Sequence, residues 1–229
     1  MTRKTMTTAS FAAVAAMLLV SLFVGSGLPD DIRLPTHWNL AGEPDSYASK
    51  WIALLMPPAI VGAVSLLFHF LPALEPREKG LERSQGLYLW GWAAILFMGL
   101  VIELVLVATA LGWRLPVNKI MVAACGVMIA VIGNQLGKSR SMYLIGLRTP
   151  WTLASEEVWI RTHRLGGKLM VLGGIIMFAA ALLPLPSGLL GTIVVAVIAA
   201  AAGVPFVYSL LLWRREKAAQ PSGYSSTRE

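Results

Sequence analysis

From Leu169 to Trp213 the chain runs for 45 residues without a charged side chain. A helix needs about 20 apolar residues to cross a hydrocarbon layer of about 30 Å, so this run predicts two crossings rather than one. Pro184-Leu185-Pro186-Ser187-Gly188 divides it and predicts a tight turn between them. Four further apolar runs precede it. Thr5 to Pro29 is charge-free, and Trp51 to Leu74 carries a Pro57-Pro58 pair that predicts a kink or a displaced helix start. Tyr88 to Gly112 is interrupted by one ionisable residue, Glu103, and Ile120 to Gly137 is a shorter span. The sum is six spans.

With 56% hydrophobic and 14% charged residues, the chain departs far from the roughly 25% charged share of soluble domains, and no single core absorbs such an apolar excess. Secreted, disordered and nucleic-acid-binding classes are excluded on this ground. The net charge of +7 does not change this, because the basic residues punctuate the apolar runs instead of lining one soluble face. The solvent-side partner is therefore the lipid bilayer, with no direct nucleic acid binding. One cysteine, Cys125, lies inside a span and cannot build an internal disulfide framework. The first run has features of a signal peptide, with Arg3 and Lys4 ahead of it and small residues at Gly25 to Gly27. It is longer than the usual apolar region of about 7–15 residues, so it reads as a retained helix.

Loop charges set the expected orientation. With the N-terminus inside, the inner segments hold fifteen basic residues, including Arg77, Lys79, Lys138, Arg140 and Arg214, and the outer ones only Arg33, Lys50, Arg114 and Lys119. Trp51 and Trp113 are expected at the outer interface, and Tyr88, Trp90, Trp151, Trp159 and Trp213 at the inner one. The fold class is thus an all-α integral membrane protein with six transmembrane helices and both termini cytoplasmic. It divides into 1–74 with an extracytoplasmic loop at 28–50, central spans in 75–132, a region 133–213 with a cytoplasmic loop at 138–168, and a disordered polar tail, 214–229.

Two loops exceed what a connector needs. The outer one, LPDDIRLPTHWNLAGEPDSYASK, is rich in turn formers and predicts a folded cap or short strands. Asp30, Asp31, His37, Glu43 and Asp45 are ligand types, but their spacing fits no metal motif, and neither a metal nor a cofactor is expected. Exposed aromatics beside polar groups make His37, Trp38, Asn39, Asp45 and Tyr47 the candidates for contact with something outside. In the inner loop, Ser155 caps an expected short amphipathic helix with Glu156 and Glu157 in its first turn. Glu157 and Arg161 stand at i,i+4, and Gly166-Gly167 is expected to end the helix in the headgroup layer. Ahead of it, Pro150 forces Thr149 into extended backbone.

GNQLGKSRSMYLIGLRTPWTLASEEVWIRTHRLGGKLMVLGG, Gly133 to Gly174, resembles the signature region of the SdpI-type immunity protein family. LPTHWNLAGEPDSYASK resembles the small domain of unknown function that precedes it in many members. The core Gly146-Leu147-Arg148-Thr149-Pro150-Trp151-Thr152-Leu153 carries most of the specificity. Gly137 and Met142 depart from the Pro and Asn found in many members, which leaves the loop's opening geometry to the structure. The resemblance implies protection from a secreted, membrane-active peptide toxin, with a cytoplasmic transcriptional regulator as a further partner. On that reading the cytoplasmic signature residues are Arg148, Thr149, Pro150, Trp151, Glu156, Glu157, Trp159, Arg161, His163 and Arg164.

No H-E-x-x-H, G-x-S-x-G or P-loop pattern occurs, so no catalytic residue and no enzyme are expected. His163 beside Glu156 and Glu157 reads as salt-bridge or headgroup contacts, and His69 between Phe68 and Phe70 as interfacial packing. A Gly133/Gly137 pair has the spacing of helix packing, at the end of a span. A carboxylate inside a span costs about 2.5–3.5 kcal/mol on insertion scales and normally faces the bundle. Glu103 therefore keeps an alternative open, a small six-helix permease in which it is the proton-coupling residue.

Overall fold

The six apolar runs are six helices in the computed structural model, which describes residues 1–39, 41–76 and 80–219. In chain order the elements are α1 (Arg3–Gly27), β1 (Arg33–Trp38), β2 (Pro44–Ser49), α2 (Lys50–Leu74), α3 (Gly80–Arg83), α4 (Gln85–Ala110), α5 (Val117–Leu136), α6 (Pro150–Ala154), α7 (Glu156–Leu182) and α8 (Ser187–Ala219). All the helices but the short α3 and α6 are long and apolar enough to cross a membrane. Alternating crossings put the hairpin β1–β2 and the turns 111–116 and 183–186 on one face. The start of α1, α3, the segment 137–155 and the end of α8 lie on the other, here called the basic face. Arg77 and Lys79 of the predicted inner loop, and the tail from 220 onward, lie outside the described residues.

Packing divides the helices into two groups. α1, α2 and α4 form one bundle, α5, α7 and α8 the other, and α4 meets α5 between them. The first is held by interlocking side chains. Trp92 is 1% exposed and sits 5.8 Å from Phe68 and 6.0 Å from Tyr88, centroid to centroid, so the aromatics form a core rather than a lipid-facing girdle. The second rests on backbone contact. A Cβ on Gly126 would stand 2.7 Å from Gly174 O, and one on Gly167 only 2.6 Å from Gly133 O. Small residues let helices approach this closely where lipid supplies no hydrophobic drive.

The prolines of α2 do not displace its start; the helix runs through Pro57, Pro58 and Pro72. A helical proline leaves the carbonyl four residues back without its donor. Two such carbonyls find donors on neighbouring helices: Ser21 Oγ donates to Leu54 O at 2.8 Å, and Tyr88 Oη to Phe68 O at 2.7 Å. Both bonds lock α2 to its partners, as neighbouring helices commonly do for breaks within a membrane.

Three sequence expectations need correction. α7 does not end at Gly166-Gly167; it continues unbroken to Leu182, so the amphipathic segment is the first part of the fifth span. Glycine tolerates a helix interior when its missing side chain admits a neighbour, and here Gly167 admits α5. Tyr88 and Trp159, 3% and 0% exposed, are core residues and not members of an interfacial belt. Finally, α8 extends through Ala219, so residues 214–219 of the predicted disordered tail are helical.

Candidate functional site

On the hairpin face, β1 and β2 pair antiparallel, with an irregularity in register around His37. Asn39 organises the connecting turn: its Oδ1 accepts from Ala41 N at 2.9 Å and from Glu43 N at 3.0 Å. Gly42 has φ +84°, the left-handed region glycine reaches without strain, and packs against the Asn118 side chain at the start of α5. Below, Leu34 plugs an apolar cluster of Val24, Ala53, Leu54, Leu106 and Ala110. Lys50, whose side chain is 4% exposed, donates to Leu28 O at 2.6 Å and pairs with Asp30 at 2.8 Å. This Lys50 hydrogen bond and charge hold the Asp30 carboxyl below the usual carboxylate range. The hairpin is thereby fixed as a roof across both helix bundles.

Beneath the roof lies a cavity of about 410 Å³. Thr36, His37, Trp38 and Asn39 line its hairpin side, and Ile102, Val105, Met121 and Val194 are among the apolar residues lining its helix side. Of the five contact candidates, three line this cavity. Asp45 and Tyr47 lie off it: Asp45 Oδ1 meets His37 Nδ1 at 2.5 Å, and Tyr47 is half exposed on β2. Among the described residues no three His, Cys, Asp or Glu side chains converge as a metal site.

Glu103 is buried, 5% exposed, about 10 Å below the Ala110 end of α4 by helix rise and so nearer the hairpin face than the middle. Its partner is one that the sequence did not point to. Ser21 Oγ lies 2.6 Å from Glu103 Oε1 and 2.8 Å from Leu54 O. The serine has one hydroxyl hydrogen, and the carbonyl can only accept it. Its hydroxyl is thus shared between the Glu103 carboxyl of α4 and the carbonyl that Pro58 frees on α2, and it ties the three helices together. Glu103 Oε2 is buried without a hydrogen-bond partner among the described residues.

On the basic face the segment 137–155 is threaded into the protein. Arg140 N donates to Ser84 Oγ at 2.8 Å, tying it to the start of α4. The amides of Tyr143 and Leu144 donate to the Glu75 carboxylate at 3.0 and 3.1 Å, at the end of α2. Gly146, at φ +122°, brings the chain against Trp159 and His163, where any Cβ would lie 2.7 Å from His163 Nε2. Leu147 N donates to that nitrogen at 2.9 Å, and His163 Nδ1 meets Trp159 O at 2.8 Å. This pair of bonds assigns the ring proton to Nδ1. His163 is thus a buried bracket for the loop, stacked on Trp159 at 3.9 Å, rather than a headgroup or salt-bridge contact.

The signature residues divide accordingly. Thr149, in extended backbone as Pro150 dictates, forms a capping box with Thr152 at the start of α6. Trp151 donates from Nε1 to Ser209 Oγ and sets its ring against Phe206 of α8. Trp151, Trp159 and His163 therefore hold the loop to α7 and α8, while Thr149 sets the local turn into α6. Arg148, Pro150, Glu156, Glu157, Arg161 and Arg164 are exposed. Ser155 caps α7 as expected, and Arg161 Nε pairs with Glu157 at 2.6 Å. Arg148 donates to Tyr143 O at 2.8 Å.

The fold and its two elaborated faces define a class: a six-span helical membrane protein with a β-hairpin roof on one side and a buried, threaded loop on the other. Residues 138–209 match the SdpI/YfhL protein family, and residues 12–62 match a domain of unknown function, DUF1648. The chain is 26% identical over 168 residues to the protein named immunity protein SdpI of Bacillus subtilis (strain 168), covering 73% of this chain and 77% of that one. No solved structure matches it. The chain is a multi-pass bacterial membrane protein that is similar, over these stretches, to the SdpI/YfhL family.

Proposed function

We propose that this protein is a non-enzymatic immunity protein that protects a bacterial cell by binding a membrane-active peptide at its hairpin face. Similarity to a protein named as an immunity protein supports the class. The observation that carries the binding mode is the 410 Å³ cavity between His37, Trp38 and Asn39 above and apolar residues of α4, α5 and α8 below. A peptide active in membranes has one apolar and one polar side. A site with an apolar wall at bilayer depth and a polar roof matches both. The excess of basic residues on the other face favours the orientation with the hairpin outside and both termini in the cytoplasm.

The exposed residues of the signature region, Arg148, Glu156, Glu157, Arg161 and Arg164, then face the cytoplasm and form the surface on which a regulatory partner would act. Their neighbours in the same stretch are buried in packing, so these exposed side chains are the ones a partner could reach.

The test is protection. Cells sensitive to the cognate peptide should survive challenge when they express the protein. His37→Ala with Trp38→Ala should reduce survival at least about tenfold while the membrane-inserted amount is unchanged. Full protection by that double variant overturns the binding mode, and no protection by the parent protein against any membrane-active peptide overturns the class.

A further inference from the structure

At the basic face, a groove of about 440 Å³ runs along the seam where α5 and α7 meet. Gly133, Gly137 and Gly167 form its floor, and Lys138, Arg164 and Lys168 stand around its mouth. Val171, Leu172 and Ile175 continue it along α7 toward the middle of the membrane. None of the three cations forms an ion pair with a described residue, and all three are exposed.

Their position is specific. Arg164 lies about 27 Å from the Leu182 end of α7 by helix rise, close to the hydrocarbon thickness of about 30 Å, and Lys168, about 21 Å from it, is one turn deeper with a side chain long enough to reach the headgroups. Lys138 lies just past the end of α5, where a cation also complements the helix dipole. That role is not open to Arg164 and Lys168, which sit inside an unbroken helix. Nor does orientation by loop charge require them to share one groove with Lys138.

We propose that this groove is a binding site for an anionic phospholipid. Its phosphate lies among Lys138, Arg164 and Lys168, and one acyl chain runs down the apolar wall of Val171, Leu172 and Ile175. Basic pockets between helices at the cytoplasmic boundary are suited to such headgroups, because the charge is complementary and the acyl chain stays in the hydrocarbon layer. The close approach of α5 and α7 at Gly133, Gly137 and Gly167 brings Lys138 to the same mouth as Arg164 and Lys168. The site is independent of any peptide bound at the hairpin face, and the lipid would brace the α5–α7 contact on which the second bundle rests.

The experiment uses the full chain in mild detergent, titrated with phosphatidylglycerol, phosphatidylcholine or glycerol 3-phosphate, with retained ligand counted by native mass spectrometry. Phosphatidylglycerol should be retained at least about tenfold more strongly than phosphatidylcholine, and glycerol 3-phosphate should not displace it. Each cation in contact with the bound headgroup should contribute about a fivefold change in affinity for anionic lipid. Arg164→Gln with Lys168→Gln should therefore weaken phosphatidylglycerol retention about 25-fold. Arg214→Gln with Arg215→Gln, an equal loss of charge outside the groove, should leave it within about twofold. If the first pair prevents folding, the single exposed change Lys168→Gln should still give about fivefold. Equal retention of the two lipids, equal loss in the two double variants, or displacement by glycerol 3-phosphate would each overturn the site.

Discussion

The hairpin roof and the threaded loop look alike as sequence. They lie in two polar stretches between apolar runs, 28–50 and 138–168, each with tryptophan, proline, histidine and paired acids. They are built in opposite ways. The hairpin satisfies its own backbone by strand pairing and an Asn39 turn, and is held from below by Leu34 and Lys50. Its polar side chains are left at the surface. The loop 137–155 has no strand or long helix to satisfy its backbone, so other elements must do it. Glu75, Ser84 and His163 reach it from three separate places in the chain. Rich composition in the first case marks a surface available for recognition. In the second it is largely consumed by the fold, and only the residues that escape this duty remain available.

Substitutions can break or sharpen that contrast. The largest effect is expected in the bundle on which the loop rests. Gly174→Val places a side chain where even a Cβ would be 2.4 Å from Gly126 O, and backbone cannot move aside cheaply. Overpacking of this kind costs about 3 kcal/mol or more, so little helical protein should survive extraction in mild detergent. Normal yield and melting temperature would show that α5 and α7 are not set by backbone contact.

His163→Ala should come next. It leaves the Leu147 amide without its acceptor and removes the stack on Trp159, at a cost of about 2–3 kcal/mol. Thermal melting and proteolysis at 143–150 read it directly. An equal loss from His37→Ala, an exposed change expected within about 0.5 kcal/mol, would erase the distinction between scaffold and surface.

A paired change tests the buried carboxyl. Ser21→Ala strands Leu54 O and Glu103 together, for about 1–3 kcal/mol. Glu103→Gln keeps an acceptor oxygen for Ser21 in nearly the same shape and should cost less than about 1 kcal/mol, with protection retained. Complete loss of function in a stably folded Glu103→Gln protein would instead favour the permease alternative.

The smallest effect is that of acid on the hairpin anchor. Asp30 has a depressed folded-state pKa, so its contribution is present above the ordinary carboxylate value and is lost as pH falls through the depressed one. The hairpin should therefore be indifferent to pH near neutrality and loosen only below about pH 4. Asp30→Asn should abolish that acid step in Trp38 fluorescence.

Much of this was legible without coordinates. Six spans, the strand-forming outer loop, the Ser155 cap and the Glu157–Arg161 pair all follow from local rules, because each depends on residues within a few positions of one another. The Gly133/Gly137 spacing pointed to packing at the end of α5, but the contact extends further, through Gly126, Gly167 and Gly174. Which glycines face a partner helix depends on where that helix lies, and spacing within one helix does not carry this. Gly166-Gly167 misled for a related reason. The local preference of glycine to end helices yielded to a neighbour that needed the space.

The sequence by itself determined that this chain lives in a membrane, how many times it crosses, and which family it resembles. Those are properties of length, hydropathy and a contiguous motif. Tertiary structure alone decided that Ser21 meets Glu103 across 82 positions, that prolines of α2 hand their carbonyls to α1 and α4, and that His163 is a bracket rather than a surface group. It also brought Lys138, Arg164 and Lys168 to one groove. The physical reason is common to all of them. A polar group buried beside lipid must find its partner wherever the packing of helices places one, and that position is not written in the residues next to it.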